Sequence, residues 1–169
     1  MITISIVGPE STGKTDLAQQ LAHHYRTHWV KEYAREYLTA LGRPYEQQDL
    51  SLIAKRQAYL QDEAQKSGHA MVIFDTDLLV LKVWSEYKYG KVDPFILAQL
   101  ALQRPDLYIL TYCDVPYEED PLREHPTQRA ELYDIYQKEL ETMGASYLVV
   151  KGDKEERKDQ ATTIINRLL

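Results

Sequence analysis

The chain has 169 residues, enough for one domain of ordinary size, and its 44% hydrophobic content with 7 Gly and 7 Pro excludes a disordered or fibrous protein. A formal net charge of −6 argues against a nucleic-acid footprint, which needs Lys and Arg clustered on one face. Cys113 stands alone, so no intramolecular disulfide forms. No charged leader followed by an apolar stretch opens the chain, and no run approaches ~18 apolar residues, so a cytoplasmic protein that binds neither nucleic acid nor membrane is expected.

In chain order, ITISIV (Ile2 to Val7) is β-branched and reads as a strand buried on both faces, running straight into a glycine loop. After Lys14 the apolar positions Leu17, Ala18, Leu21, Ala22 and Tyr25 have helical spacing. A short strand is expected around His28 to Lys31. From about Tyr45 to Lys66, the residues Leu50, Ile53, Leu60 and Ala64 mark one helical stripe with Gln57 inside it, and SGH ends the helix. AMVIFD (Ala70 to Asp75) is an apolar strand ending on an acid. Two helical stretches follow, separated near Gly90 and Asp93-Pro94, and Leu107 to Thr111 is a further strand. CDVPYEEDPLREHPTQR is polar, punctuated by proline, and reads as a long surface excursion. Thr127 to Met143 is helical with Gly144 as its C-terminal cap. SYLVV is the last strand, and Ala161, Ile164, Ile165 and Leu168 form the inner face of a final helix. Strands alternating with helices imply an α/β fold with a parallel sheet covered on both sides.

Gly8 to Thr15 reads GPESTGKT and matches G-x-x-x-x-G-K-[ST], a loop whose backbone N–H groups wrap the phosphates of a nucleotide at a helix N-terminus. Gly8, Glu10, Ser11, Thr12, Gly13, Lys14 and Thr15 are thus the candidate ATP contacts. Lys14 would reach the β and γ phosphates, and the Thr15 hydroxyl would bind Mg²⁺. Asp75 ends a buried strand, where open α/β sheets bind ligands and where P-loop enzymes hold the Mg²⁺ shell. Asp75 and Asp77 also both precede the periodic run LLVLKVW, so either fits a helix cap. One of the pair on the metal and the other as base for the acceptor's proton is a further division of labour.

A signalling GTPase needs an Asn-Lys-x-Asp, and the nearest string, Val150-Lys151-Gly152-Asp153, has Val at its head. It also needs a glycine three residues after the strand-end acid, where Leu78 stands. A AAA+ motor normally carries a separate helical lid domain, for which there is little room. A small-molecule kinase remains, and its Arg-bearing lid fits the excursion, with Arg123 and Arg129 as candidate phosphate contacts. Solvated surface arginines are the ordinary alternative.

GPESTGKT, KEYAREY (Lys31 to Tyr37), FDTD (Phe74 to Asp77), CDVPYEEDPLRE with Arg129, and VKGDKEER (Val150 to Arg157) together resemble the ribosylnicotinamide kinase domain of the NadR-like P-loop family, in order and over nearly the whole chain. The resemblance implies a P-loop three-layer sandwich on a five-stranded parallel sheet, filling residues 1–169 as one kinase domain with a lid at about 114–129. It also implies ATP as donor, Mg²⁺ as cofactor, and nicotinamide riboside as acceptor, giving nicotinamide mononucleotide. A regulatory P-loop ATPase acting on a protein or lipid, and a kinase for another nucleoside or vitamin alcohol, are the alternatives.

By the same resemblance Glu32 and Arg35 face the acceptor, Glu32 binding ribose hydroxyls or serving as base in place of Asp75 or Asp77. Gly152 and Arg157 match the adenine-side loop. Read without it, Glu32 and Arg35 are a surface i, i+3 ion pair on a short helix, worth tenths of a kcal/mol, and Arg157 is a first-turn residue of the final helix. A flat cationic ring would suit aromatic walls, for which VWSEYKYG offers Trp84, Tyr87 and Tyr89, although tyrosines at such spacing are more often filler. Gln57 reads as an acceptor contact or a buried amide bonded to backbone. The five histidines show no metal-ligand spacing.

Overall fold

The computed structural model describes residues 1–169. Five strands, β1 (Ile2–Val7), β2 (His28–Val30), β3 (Met71–Asp75), β4 (Leu107–Thr111) and β5 (Tyr147–Val150), form one parallel sheet in the order β2-β3-β1-β4-β5. The central strand β1 pairs Ile4 with Ile73 of β3 and with Leu107 of β4. Because successive strand side chains point to opposite faces, Ile4, Ile6, Ile73 and Ile109 pack on one side with α1 (Lys14–Tyr25) and α7 (Lys154–Ile165). Val7, Tyr108 and Leu110 pack on the other with α3 (Gln47–Gln65), α4 (Leu78–Tyr89), α5 (Pro94–Leu102) and α6 (Arg129–Thr142). Burial on both faces is why these strands read as near-continuous apolar runs.

The expected five-stranded parallel sheet is therefore present. Every helix contributes buried residues to the cores on the two faces of this one sheet. One helix, α2 (Tyr33–Leu41), lies where the chain-order reading placed none, because its stripe is short and only Ala34 is buried. Gly144 sits one position beyond the cap residue Met143 with φ +60°, the left-handed conformation that ends a helix. The inner face of α7 is narrower than expected: Ala161 and Ile165 are buried, whereas Leu168 follows the helix end and is exposed.

Asp77 caps α4, accepting the Leu79 N–H at 3.0 Å, and the side chain is buried. It therefore takes the capping role, and it lines a small cavity beside Gln61 and Gln103 on the flank of the sheet, apart from the large cleft described below. Burial pushes its pKa up to about 6 from 3.8, partly offset by the Leu79 bond. The folded state thus binds this proton more tightly than the unfolded chain. The group's contribution to stability is full below about pH 4 and is lost as pH rises towards about 6. Asp77→Asn keeps an N-cap acceptor and removes the titration. We expect it to raise the melting temperature at pH 7.5 and to change it little at pH 4, as thermal unfolding at the two pH values would show; a lower melting temperature at pH 7.5 would contradict this.

Candidate functional site

The C-terminal ends of β1, β3 and β4 meet where the strand order reverses, the place at which open α/β sheets bind ligands. A cleft of about 510 Å³ opens there. The phosphate loop forms its floor, with Glu32 and Arg35 on one side and Trp84 and Tyr87 of α4 and Tyr136 of α6 on another. Arg123 and His125 come from the irregular segment 112–128.

The loop is built on two glycines. Gly8 has φ +142°, and a Cβ there would come within 2.5 Å of Thr111 Oγ1 and 2.9 Å of the Thr111 carbonyl oxygen, so β1 passes β4 only without a side chain. Gly13 precedes α1 with φ +79°. Between them Ser11 also has positive φ, +53°. The carbonyls of Gly8, Pro9, Ser11 and Thr12 in this loop are all taken up. Lys14 Nζ donates to the oxygens of Gly8 at 2.9 Å and Pro9 at 2.6 Å, and Arg129 donates to Ser11 O at 3.0 Å. Arg157 donates to Thr12 O at 2.5 Å. The Thr12 hydroxyl is buried between Pro9 O and Thr111 Oγ1, each 2.7 Å away. The N–H groups of Ser11 to Thr15, in contrast, donate to no protein acceptor, which leaves them for phosphate oxygens. Burial lowers the Lys14 pKa, against the opposing pull of Glu32 and Asp75.

Thr15 donates its hydroxyl proton to Asp75 Oδ2 at 2.7 Å, joining the start of α1 to the end of β3. The other oxygen, Asp75 Oδ1, is buried and has no partner. An orphaned carboxylate oxygen beside a hydroxyl is a hard, oxygen-only donor set, which fits Mg²⁺ held by one or two protein oxygens and substrate phosphates. No group of three or more His, Cys, Asp or Glu forms a closed metal cage. Burial raises the Asp75 pKa, while the Thr15 bond and Lys14 oppose it.

Glu32 follows β2 and faces the same cleft. Burial raises its pKa first; Lys14 and Arg35 pull it down, and Asp75 and Glu10 push it up. Its backbone neighbours are fixed by Gln57, whose side chain accepts the Tyr33 N–H at 2.8 Å and donates to Lys31 O at 3.3 Å. Gln57 is thus the buried amide bonded to backbone. Arg35 does not pair with Glu32 as the short-helix reading had it; it pairs with Asp120, 2.9 Å away in the irregular segment.

The two excursion arginines have different surroundings. Arg123 lines the cleft, near enough to Lys14 to lower its pKa, and bonds Glu118 O. Arg129 is occupied with backbone, donating to Ser11 O and, at 2.9 Å, to Val115 O. Arg157 is only 4% exposed. It donates to Gly152 O at 2.8 Å, Thr12 O and Tyr112 O at 2.9 Å, and pairs with Asp114. Asp114 in turn accepts the Gly152 N–H at 2.7 Å. A guanidinium bonded to these partners braces the phosphate loop, and Arg157 is therefore a buried residue and not a first-turn surface one. Residue type and position alone carry no signal of this.

Trp84 and Tyr87 line the cleft and Tyr89 does not. Trp84 donates to Tyr45 Oη at 2.9 Å with the rings edge-on, 5.1 Å apart, and Tyr87 meets His125 edge-on at 5.2 Å. Tyr45 and His125 were not among the expected site residues, since each is an ordinary loop residue until the fold brings it here.

A family model described as an AAA domain matches residues 3–157. The trifunctional NAD biosynthesis/regulator proteins NadR of Salmonella typhimurium and of Escherichia coli K12 are each 32% identical over 125 residues, 72% of this chain and 30% of theirs, so the match spans less than a third of those relatives. A NadR crystal structure in complex with NR superposes with a TM-score of 0.88 at 22% identity, over 98% of this chain and 51% of that one. A NadR complex with NAD and AMP-PNP gives 0.79 at 21%, over 96% and 49%. Thymidylate kinase from Ehrlichia chaffeensis gives 0.70 at 14%, over 99% and 98%. At these identities the structural likeness is one of fold, and the fold is the α/β P-loop kinase fold. The family resemblance carried by GPESTGKT, KEYAREY and FDTD is borne out.

Gly8 and Gly42 both have positive φ, but a Cβ at Gly42 meets nothing within 4 Å. Gly8→Ala should therefore destabilise the chain by about 1–3 kcal/mol more than Gly42→Ala, the excess combining overpacking against Thr111 with a φ of +142°, outside the left-handed region that +68° at Gly42 occupies. Urea denaturation of the two variants measures this, and equal losses would show that the loop tolerates a side chain there.

Proposed function

The chain belongs to the AAA-domain family just described, and from that premise we propose that it is an ATP-dependent kinase of a small nucleoside, with nicotinamide riboside as acceptor and nicotinamide mononucleotide as product. The observation that carries this reading is Glu32, a half-buried carboxylate that shares one cleft with Lys14 of the phosphate loop. A nucleotide switch needs the loop but has no use for a second acid on the far side of the phosphates. The 32% identity with NadR and the fold shared with the NR complex support the pyridine nucleoside. The fold shared with thymidylate kinase favours a second reading, another nucleoside as acceptor.

In this mechanism the loop's free N–H groups hold the phosphates of ATP, and Lys14 exchanges the carbonyls of Gly8 and Pro9 for phosphate oxygens. Thr15 and Asp75 would hold Mg²⁺, which supplies charge neutralisation along the phosphates when bound. Glu32 accepts the proton of the acceptor hydroxyl as that oxygen bonds to the terminal phosphorus and the bond to the ADP oxygen breaks. Its raised pKa brings it nearer to neutral pH, where a general base is most effective. Arg123 meets the charge that develops on the transferring group. Trp84 and Tyr87 offer π faces to a flat cationic ring, an attraction of about 2 kcal/mol when desolvated. Asp77, outside the cleft, has no part in it.

Purified protein with Mg²⁺-ATP and a nucleoside panel headed by nicotinamide riboside should give a dominant nicotinamide mononucleotide peak by mass spectrometry. A different phosphorylated nucleoside would move the acceptor assignment, and no product at all would leave the fold without this function. Glu32→Gln is expected to lower kcat about 10²–10⁴-fold with ATP affinity unchanged. Lys14→Ala should abolish transfer in a chain that still unfolds cooperatively, at a somewhat lower melting temperature because Gly8 O loses its donor; turnover by either variant at the parent rate would remove that residue from the mechanism.

A further inference from the structure

Glu10, the third residue of the phosphate loop, sits where a negative charge opposes a nucleotide's phosphates. It lines the cleft and is among the charges that act on Lys14 and Glu32. Its carboxylate is occupied by the irregular segment across the cleft. The Glu124 N–H donates to its two oxygens at 3.1 and 3.0 Å, and the His125 N–H donates at 3.0 Å. Ser11 continues the seam, its hydroxyl accepting the Glu118 N–H at 2.8 Å.

The residues that Glu10 grips belong to the wall of the acceptor side. The His125 ring stands edge-on to Tyr87, and the Glu124 carboxylate takes a hydrogen bond from Lys88 Nζ at 2.8 Å and another from Tyr45, the residue bonded to Trp84. Arg123 immediately precedes them in the chain. One carboxylate therefore links the loop that holds the donor to the segment that carries both Arg123 and part of the acceptor wall.

We propose that Glu10 is a positioning residue: it clasps residues 124–125 to the phosphate loop and so fixes Arg123 and the His125–Tyr87 wall, at some cost in nucleotide affinity. The clasp uses backbone donors, so it holds whatever side chains the segment carries. Bonds from neutral N–H groups to a carboxylate are among the stronger hydrogen bonds. The catalytic part of the inference rests on the kinase reading; the clasp itself does not.

The test compares Glu10→Ala, which removes both the charge and the acceptor, with Glu10→Gln, which removes the charge and keeps one acceptor oxygen. Three readouts are needed: tryptic cleavage after Arg123 located by mass spectrometry, binding of a fluorescent non-hydrolysable ATP analogue, and kinetics with the acceptor that the parent phosphorylates. For Glu10→Ala we expect cleavage after Arg123 to quicken about tenfold or more, analogue binding to be as tight or tighter, acceptor KM to rise, and kcat to fall about tenfold or more. Glu10→Gln should restore most of kcat while keeping the tighter analogue binding. Unchanged cleavage in Glu10→Ala would overturn the clasp. So would a parallel fall of melting temperature, analogue affinity and kcat at constant acceptor KM, because that pattern is general loss of structure. If the parent phosphorylates no acceptor, the kinase reading fails, and the cleavage comparison still decides whether Glu10 holds the segment.

Discussion

A phosphate loop that keeps its N–H groups for a ligand must turn its carbonyls outward, and buried carbonyls need donors. This requirement organises the ligand end of the molecule. Lys14 covers Gly8 and Pro9, Thr12 covers Pro9, Arg129 covers Ser11, and Arg157 covers Thr12. The donors come from α1, from the loop itself, from the start of α6 and from the start of α7. The loop's shape is thus set by four places in the chain at once, and only the glycines at 8 and 13 let the backbone follow it.

Arg157 illustrates the consequence. A buried guanidinium is costly unless its hydrogens are satisfied, and here they meet carbonyls from three separate loops and the Asp114 carboxylate. The ends of β4 and β5 are thereby locked to the phosphate loop. An acidic protein can hold a polyanion in this arrangement because the positive groups, Lys14, Arg35, Arg123 and Arg157, all line one cleft, whereas net charge is a property of the whole surface. The cleft is also divided. Glu10 and Glu32 bring negative charge to its lining and Asp75 lies behind Thr15, and burial raises the pKa of Glu32 and of Asp75 while Lys14 lowers both.

Much of this was legible in the chain itself. The strands β1, β3 and β4 are short β-branched runs buried on both faces, and the Walker-type motif with Asp75 at a strand end fixes where they converge. Other features were hidden for identifiable reasons. The helix α2 spans nine residues and buries only Ala34, so the sequence marks it only as a short surface helix and gives no sign of its place beside the cleft. Asp75 and Asp77 stand two residues apart and would share a face if β3 ran on, but the strand ends at Asp75 and Thr76 takes a φ of +70°, which leaves one acid bonded to Thr15 and the other in a capping bond. The bracing by Arg157 and the bonds of Glu10 to residues 124 and 125 span separations of more than a hundred positions. Local patterning has no access to such pairs, whatever the residue types. No helix is long and apolar enough to cross a membrane.

The central claim is that the cleft transfers a phosphoryl group to a bound nucleoside. The most direct measurement is the rate of ADP formation from Mg²⁺-ATP as nicotinamide riboside is titrated in. The expected result is a saturable acceleration from a low basal rate, with one nicotinamide mononucleotide formed for each additional ADP. An ADP rate indifferent to nicotinamide riboside and to every other nucleoside would contradict the claim and leave a nucleotide-binding protein whose cleft serves another end.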